Sequence, residues 1–117
     1  MNHIITNLET LLAKGPDNVL VRFGLGNAYL HAKEFPKAVE HFAKAVEFDP
    51  RYSAAWKGYG KALAENQQIP EAIEAYTKGI EVAEARGDIQ AAKEMKVFLK
   101  RLHASLAEER PSRLLAV

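Results

Sequence analysis

A chain of 117 residues with 48% apolar and 26% charged side chains is sized for one domain, and its composition argues against a disordered chain. A formal net charge of +1 excludes a global field that would recruit nucleic acid or an anionic bilayer. With no cysteine there is neither a disulfide framework nor thiolate chemistry.

The stretch from Met1 to Glu9 lacks a basic start and an uninterrupted apolar run. It reads as neither signal peptide nor membrane span, and the cytoplasm is the expected compartment. Ile4, Ile5, Leu8, Leu11 and Leu12 recur at helical spacing until Gly15-Pro16, predicting a helix over 3–14. Asp17 is the expected N-cap of a second helix over about 18–31, which carries Leu20, Phe23, Leu25, Tyr29 and Leu30. Pro36 opens a third helix, where its missing N–H costs nothing, and Asp49-Pro50 closes it after Phe48. A fourth helix over 53–65 carries Trp56, Tyr59 and Leu63. Asn66-Gln67-Gln68 forms the next turn, and Pro70 opens a fifth helix that reaches about Arg86. Gly87 has the place of a C′ glycine and Asp88 that of the following N-cap. In the last helix, over 89–109, Ile89, Ala92, Met95, Leu99, Leu102 and Leu106 make one apolar stripe. Pro111 is expected to end it, so that 1–110 form a single helical domain and 111–117 a mobile tail.

Sliding the sequence along itself by 34 positions brings Gly24, Gly26, Ala28, Pro36, Ala38 and Glu40 onto Gly58, Gly60, Ala62, Pro70, Ala72 and Glu74. Leu25, Tyr29, Val39 and Phe42 fall on Tyr59, Leu63, Ile73 and Tyr76. A repeat of this length marks a stacked helical array. Glycine inside a helix is disfavoured by up to about 1 kcal/mol relative to alanine, so its recurrence in register points to close helix approach. Ala38 and Ala72 are the expected partners of Gly26 and Gly60 across each pair. The predicted core is Leu25, Tyr29, Phe42, Trp56, Tyr59, Leu63, Ala72, Tyr76, Ile80 and Leu99.

With Leu25-Gly26, Tyr29, Ala38, Phe42, Ala45 and Pro50 in one unit, and Trp56, Tyr59-Gly60, Leu63, Ala72 and Tyr76 in the next, the chain resembles the tetratricopeptide repeat family. Arg22 stands where the first unit would carry its aromatic, Gly79 replaces the third small alanine, and Glu84 replaces the closing proline. Beyond residue 87 the register fails, since Glu94 occupies the place of a glycine. The reading is two repeats, about 19–52 and 53–86, and a capping helix. The resemblance implies an all-α fold of antiparallel helix-turn-helix repeats stacked as a short right-handed solenoid. It also implies a non-catalytic protein–protein interaction module whose first helices line a concave face that receives a peptide or partner segment.

By position in the repeat, that face includes Phe23, Asn27, Leu30 and His31 from the first unit and Lys57, Lys61 and Glu65 from the second. Lys93 and Lys96 of the last helix join the candidates; if they turn inward, the face favours a segment with acidic residues around an apolar anchor. Some family members hold the C-terminal carboxylate of a chaperone through lysines, asparagines and an arginine. Here Asn27 alone matches that set, with Phe23 and Gly58 in place of a lysine and an asparagine.

The expected state is a monomer or weak homodimer; the alternatives are a structural protein that self-associates as a homodimer through this face or through Leu114-Leu115, and weak nucleic-acid binding through the lysines. Near-neutral charge and the lack of interleaved basic and aromatic residues count against nucleic acid. His3, His31, His41 and His103 show no metal-ligand spacing, no glycine-rich phosphate loop follows a strand, and the serines lack a histidine–acid arrangement. No catalytic residue, metal or cofactor is expected, and no membrane partner.

Overall fold

Local punctuation decides where the helices begin and end. A computed structural model describes residues 2–116, with side chains over 2–107. It contains α1 (His3–Lys14), α2 (Val19–His31), α3 (Phe35–Phe48), α4 (Ser53–Glu65), α5 (Ile69–Arg86) and α6 (Ile89–Ala116). Asn2 caps α1 by accepting the N–H groups of Ile4 and Ile5. Pro36 and Pro70 stand at the first turns of α3 and α5, where the ring is pre-set for helix. Gly87 closes α5 in the left-handed region, at φ 76°. Asp88 accepts the Ala91 N–H at 3.3 Å and the Ser53 hydroxyl at 2.6 Å, so one carboxylate caps α6 and ties it to α4.

Two boundaries differ from expectation. The cap of α2 is Asn18, whose Oδ1 accepts the Val21 N–H at 3.0 Å. Asp17 is instead engaged by Arg22, whose Nε and Nη2 each donate to one carboxylate oxygen at 2.8 Å. The last helix does not end before Pro111; it runs to Ala116. Proline's fixed φ is compatible with helix, although the ring removes one backbone hydrogen bond and crowds the carbonyl one turn before it. Of the expected tail 111–117, residues 111–116 are thus helix and Val117 lies outside the described residues, as do the side chains of Leu114 and Leu115.

Each helix packs on its neighbour in sequence, and α4 also meets both α2 and α6. Among the described residues, the backbone of α3 comes close to neither that of α1 nor that of α5. The even-numbered helices therefore form a closely spaced inner layer and the odd-numbered ones a splayed outer layer, within overall extents of 54 × 35 × 19 Å. That difference in spacing curves the array toward the inner side.

The repeated glycines make the close spacing sterically feasible. A β-carbon at Gly26 would lie 2.8 Å from the Phe42 ring, and one at Gly60 would lie 2.5 Å from the Tyr76 ring. The atoms nearest these glycines belong to the rings of Phe42 and Tyr76 and not to the expected alanines; Ala38 and Ala72 are both buried. Of the expected core, Leu25, Tyr29, Phe42, Leu63, Ala72 and Tyr76 are buried, while Trp56, Tyr59, Ile80 and Leu99 are half-buried. Met95 is fully buried against Gly79 and anchors α6 to α5. Ile89, placed on the same stripe by its spacing, is exposed because α6 turns Ala91 and Ala92 inward at its start.

A buried polar chain crosses the first repeat. His41 Nδ1 lies 3.0 Å from Arg22 Nη1, and the imidazole stacks on Tyr29 at 5.5 Å between centroids. The Tyr29 hydroxyl donates to Glu9 on α1. Burial and Arg22 hold His41 below its ordinary pKa, while burial and Glu9 push Tyr29 up to about 12. The fixed positive partner makes His41 an acceptor, hence neutral.

Candidate functional site

The inner layer builds one open groove because each of its helices presents the same turns to it. On α2 the lining residues are Phe23, Asn27, Leu30 and His31; on α4, Ala54, Lys57, Gly58 and Lys61; on α6, Glu94 and Phe98. These enclose about 420 Å³. Spacings of three and four residues place each set on one helix face.

The structure brings Phe23, Asn27, Leu30, His31, Lys57 and Lys61 together, as the repeat register placed them. Phe23 has a double role: its ring packs on Tyr52 at 4.9 Å and edge-on to Phe42 at 6.0 Å, so only part of it faces the groove. Lys93 and Lys96 do not line the groove. Lys93 is exposed, and Lys96 pairs with Glu84 on α5 at 2.7 Å. Lys96 is two positions beyond Glu94, about 200° around the helix, so the two cannot share a face.

Glu94 and Phe98 were not foreseen. They are legible if positions are counted from each helix start: α4 begins 34 residues after α2, but α6 begins 36 residues after α4. Glu94 then corresponds to Gly58, a groove position, and not to the buried Gly60. Phe98 packs beside Tyr76 at 5.7 Å and closes the α6 side.

Glu94 alters the electrostatics, because its carboxylate accepts from Lys57 Nζ at 3.1 Å. Both side chains are more than a third exposed, so the pair contributes about 1 kcal/mol or less to stability. Its larger effect is to cancel the charge of Lys57 within the groove. Lys61 has no salt-bridge partner among the described residues. Tyr76 reaches the groove's far end, and burial with the nearby Glu65 pushes its pKa up, keeping the phenol neutral.

Among the described residues there is no group of three or more acidic, histidine or cysteine side chains able to hold a metal ion. None of the described helices is long and apolar enough to cross a membrane. What the groove can do is contact: apolar surface from Phe23, Leu30 and Phe98, with hydrogen-bonding and charged groups between.

Two family models, each described as tetratricopeptide repeat, match residues 5–53 and 32–95. The chain is 48% identical over 99 residues to the TPR repeat-containing protein PA0015 of Pseudomonas aeruginosa, covering 85% of this chain and 94% of that protein. It is similar to protein BPP2914 of Bordetella parapertussis, solved in solution, with 43% identity and a TM-score of 0.81 over 94% of this chain and 96% of that one. The Sgt2 TPR domain of Aspergillus fumigatus superposes with a TM-score of 0.77 at 30% identity, covering 92% of this chain and 68% of that one. Such domains are generally protein-interaction modules and generally non-catalytic. The repeat register, the glycine–ring packing and these matches agree: the chain belongs to the tetratricopeptide repeat family.

Proposed function

We propose that this chain is a non-catalytic adaptor that holds a short segment of a partner protein in the groove between α2, α4 and α6. One observation carries the reading. Three helices, from both repeats and the final helix, converge apolar groups (Phe23, Leu30, Phe98) and polar ones (Asn27, Lys57, Lys61, Glu94) on a single open hollow. An open surface of this kind suits a segment ordered on binding, whose affinity comes from a few desolvated apolar contacts.

The test compares the intact chain with an Asn27→Arg/Lys61→Glu variant. Both positions face the groove and neither is buried, so the variant should fold normally. Proteins captured from a lysate by each form are identified, and those lost by the variant are purified and titrated against both forms, with the mass of each form measured in solution. A purified partner that binds the intact monomer and not the variant supports the adaptor. Identical captures remove this groove from consideration, and a dimer that dissociates on the same substitutions replaces the reading with self-association.

A further inference from the structure

Charge is distributed unevenly along the groove. Toward the N-terminal ends of the inner helices, Lys57 is matched by Glu94. Toward their C-terminal ends the groove opens into two further hollows, and Lys61 lines both. The first, of about 280 Å³, is shared with Leu30, His31, Lys33, Phe35 and Glu65. The second, of about 260 Å³, is shared with Ala64, Glu65, Tyr76, Phe98, Arg101 and Leu102. Lys33, Lys61 and Arg101 come from three different segments, and none has a carboxylate within salt-bridge distance among the described residues. Against these three cations stands one carboxylate, Glu65. The other ion pairs of the inner and outer layers show that this surface can neutralise lysines where it does so, as at Lys57 and Lys96.

We infer that the groove selects an acidic–apolar peptide segment, with a carboxylate seated between Lys61 and Arg101 and an apolar side chain over Leu30 and Phe98. This deepens the partner-binding reading and rests on it. Phe98 lines both the groove and the Arg101 hollow, so the apolar and anionic subsites are continuous. From Lys57 to Glu65 the groove follows α4 for about 12 Å at 1.5 Å per residue, the length of three or four extended residues. The acidic and apolar side chains of the segment therefore lie within that spacing. Exposed cations act mainly by steering and by rejecting basic segments, while the apolar contact supplies most of the affinity.

A displayed library of short random peptides, selected on the full chain, tests this. The enriched peptides are synthesised and titrated against the intact chain, a Lys61→Gln/Arg101→Gln variant and an Asn27→Arg variant, at low and high salt. The expected result is enrichment of Asp or Glu within four residues of Leu, Ile or Phe, with binding about tenfold weaker in the double variant and weaker in salt. Circular dichroism of the double variant should match the intact chain, since Lys61 and Arg101 are exposed. Acidic peptides that bind both forms equally overturn the inference. Enriched peptides without acids that are lost on Asn27→Arg overturn the inference and leave the partner-binding reading standing. Failure to enrich any peptide that Asn27→Arg displaces overturns both.

Discussion

The ring of Phe42, carried by the first repeat, occupies the notch left by Gly58 at the start of the second. Phe42 is fully buried and touches glycine positions on both α2 and α4, so a single side chain sets the spacing between repeats. A β-carbon at Gly58 would overlap that ring.

Gly58→Ala should therefore lower stability by about 1–3 kcal/mol, although alanine is the better helix former. At an unconstrained helix position the same change would raise stability by up to about 1 kcal/mol. Denaturant unfolding distinguishes the two signs. Combined with Phe42→Leu, the loss should be clearly less than additive, because the smaller side chain relieves the overlap. Gly60→Leu should show the same behaviour against Tyr76, with a loss of about 1–3 kcal/mol beyond any propensity change.

The last helix covers the apolar face of α5. Met95 is fully buried among Tyr76, Ala83, Ala91 and Ala92, and its sulfur faces Gly79. Met95→Ala should cost about 2–5 kcal/mol on thermal or denaturant unfolding. A chain ending after Gly87 would uncover Tyr76, Ile80 and Ala83 and should lose helicity or associate, as seen by circular dichroism and by mass in solution. A soluble, fully helical monomer of residues 1–87 would remove this role from α6.

Stability should fall in mild acid through His41. Its folded pKa is held below the ordinary histidine value by burial and then by Arg22, with Glu9, Glu40 and Asp17 opposing. The unfolded chain then binds the proton more readily than the native one, so stability is full above the ordinary value of 6.5 and declines as pH falls below it. Urea midpoints measured on either side of that value should show the decline, and His41→Asn should flatten it. An unchanged slope in that variant would assign the acid sensitivity elsewhere.

The two repeats share a strained turn. Lys33 and Gln67, equivalent by the 34-residue register, both take a left-handed backbone at φ 61° and 63°. An L residue is disfavoured there by about 1–2 kcal/mol, while glycine is not, although its unfolded chain is more flexible. Gln67 is exposed, so Gln67→Gly should raise stability by up to about 1 kcal/mol, read from the denaturant midpoint. A lower midpoint would show that the Gln67 side chain contributes more than its backbone strain removes.

The helices were legible in the sequence because most of their ends are marked by chemistry that acts locally: Pro36 and Pro70 open helices and Gly87 closes one, whereas Pro111 lies within α6. The N-cap at Asn18 was not, since Asp17 beside it can accept the same backbone hydrogen bond. The choice fell to Arg22, a residue one turn into the helix that takes up both oxygens of Asp17. The α2 and α4 sides of the groove followed from the strict 34-residue repeat. Its α6 side did not, because α5 runs for 18 residues where α3 runs for 14, and the next helix start moves out of register. Ring-on-glycine packing was hidden for a related reason: the pattern names a close approach, but not which side chain fills it.

That the backbone of α3 stays apart from those of α1 and α5 among the described residues bears on how the molecule comes apart and assembles. With contacts confined to near neighbours along the chain, loop closure is inexpensive in entropy and the array should fold quickly. Opening should be graded instead of uniform. The first helix rests on one partner, has no fully enclosed side chain, and should release its amide protons to solvent soonest. Amides of α3 and α4, gripped around Phe42, should exchange last, so the partner groove would retain its central wall while the molecule frays at its edge.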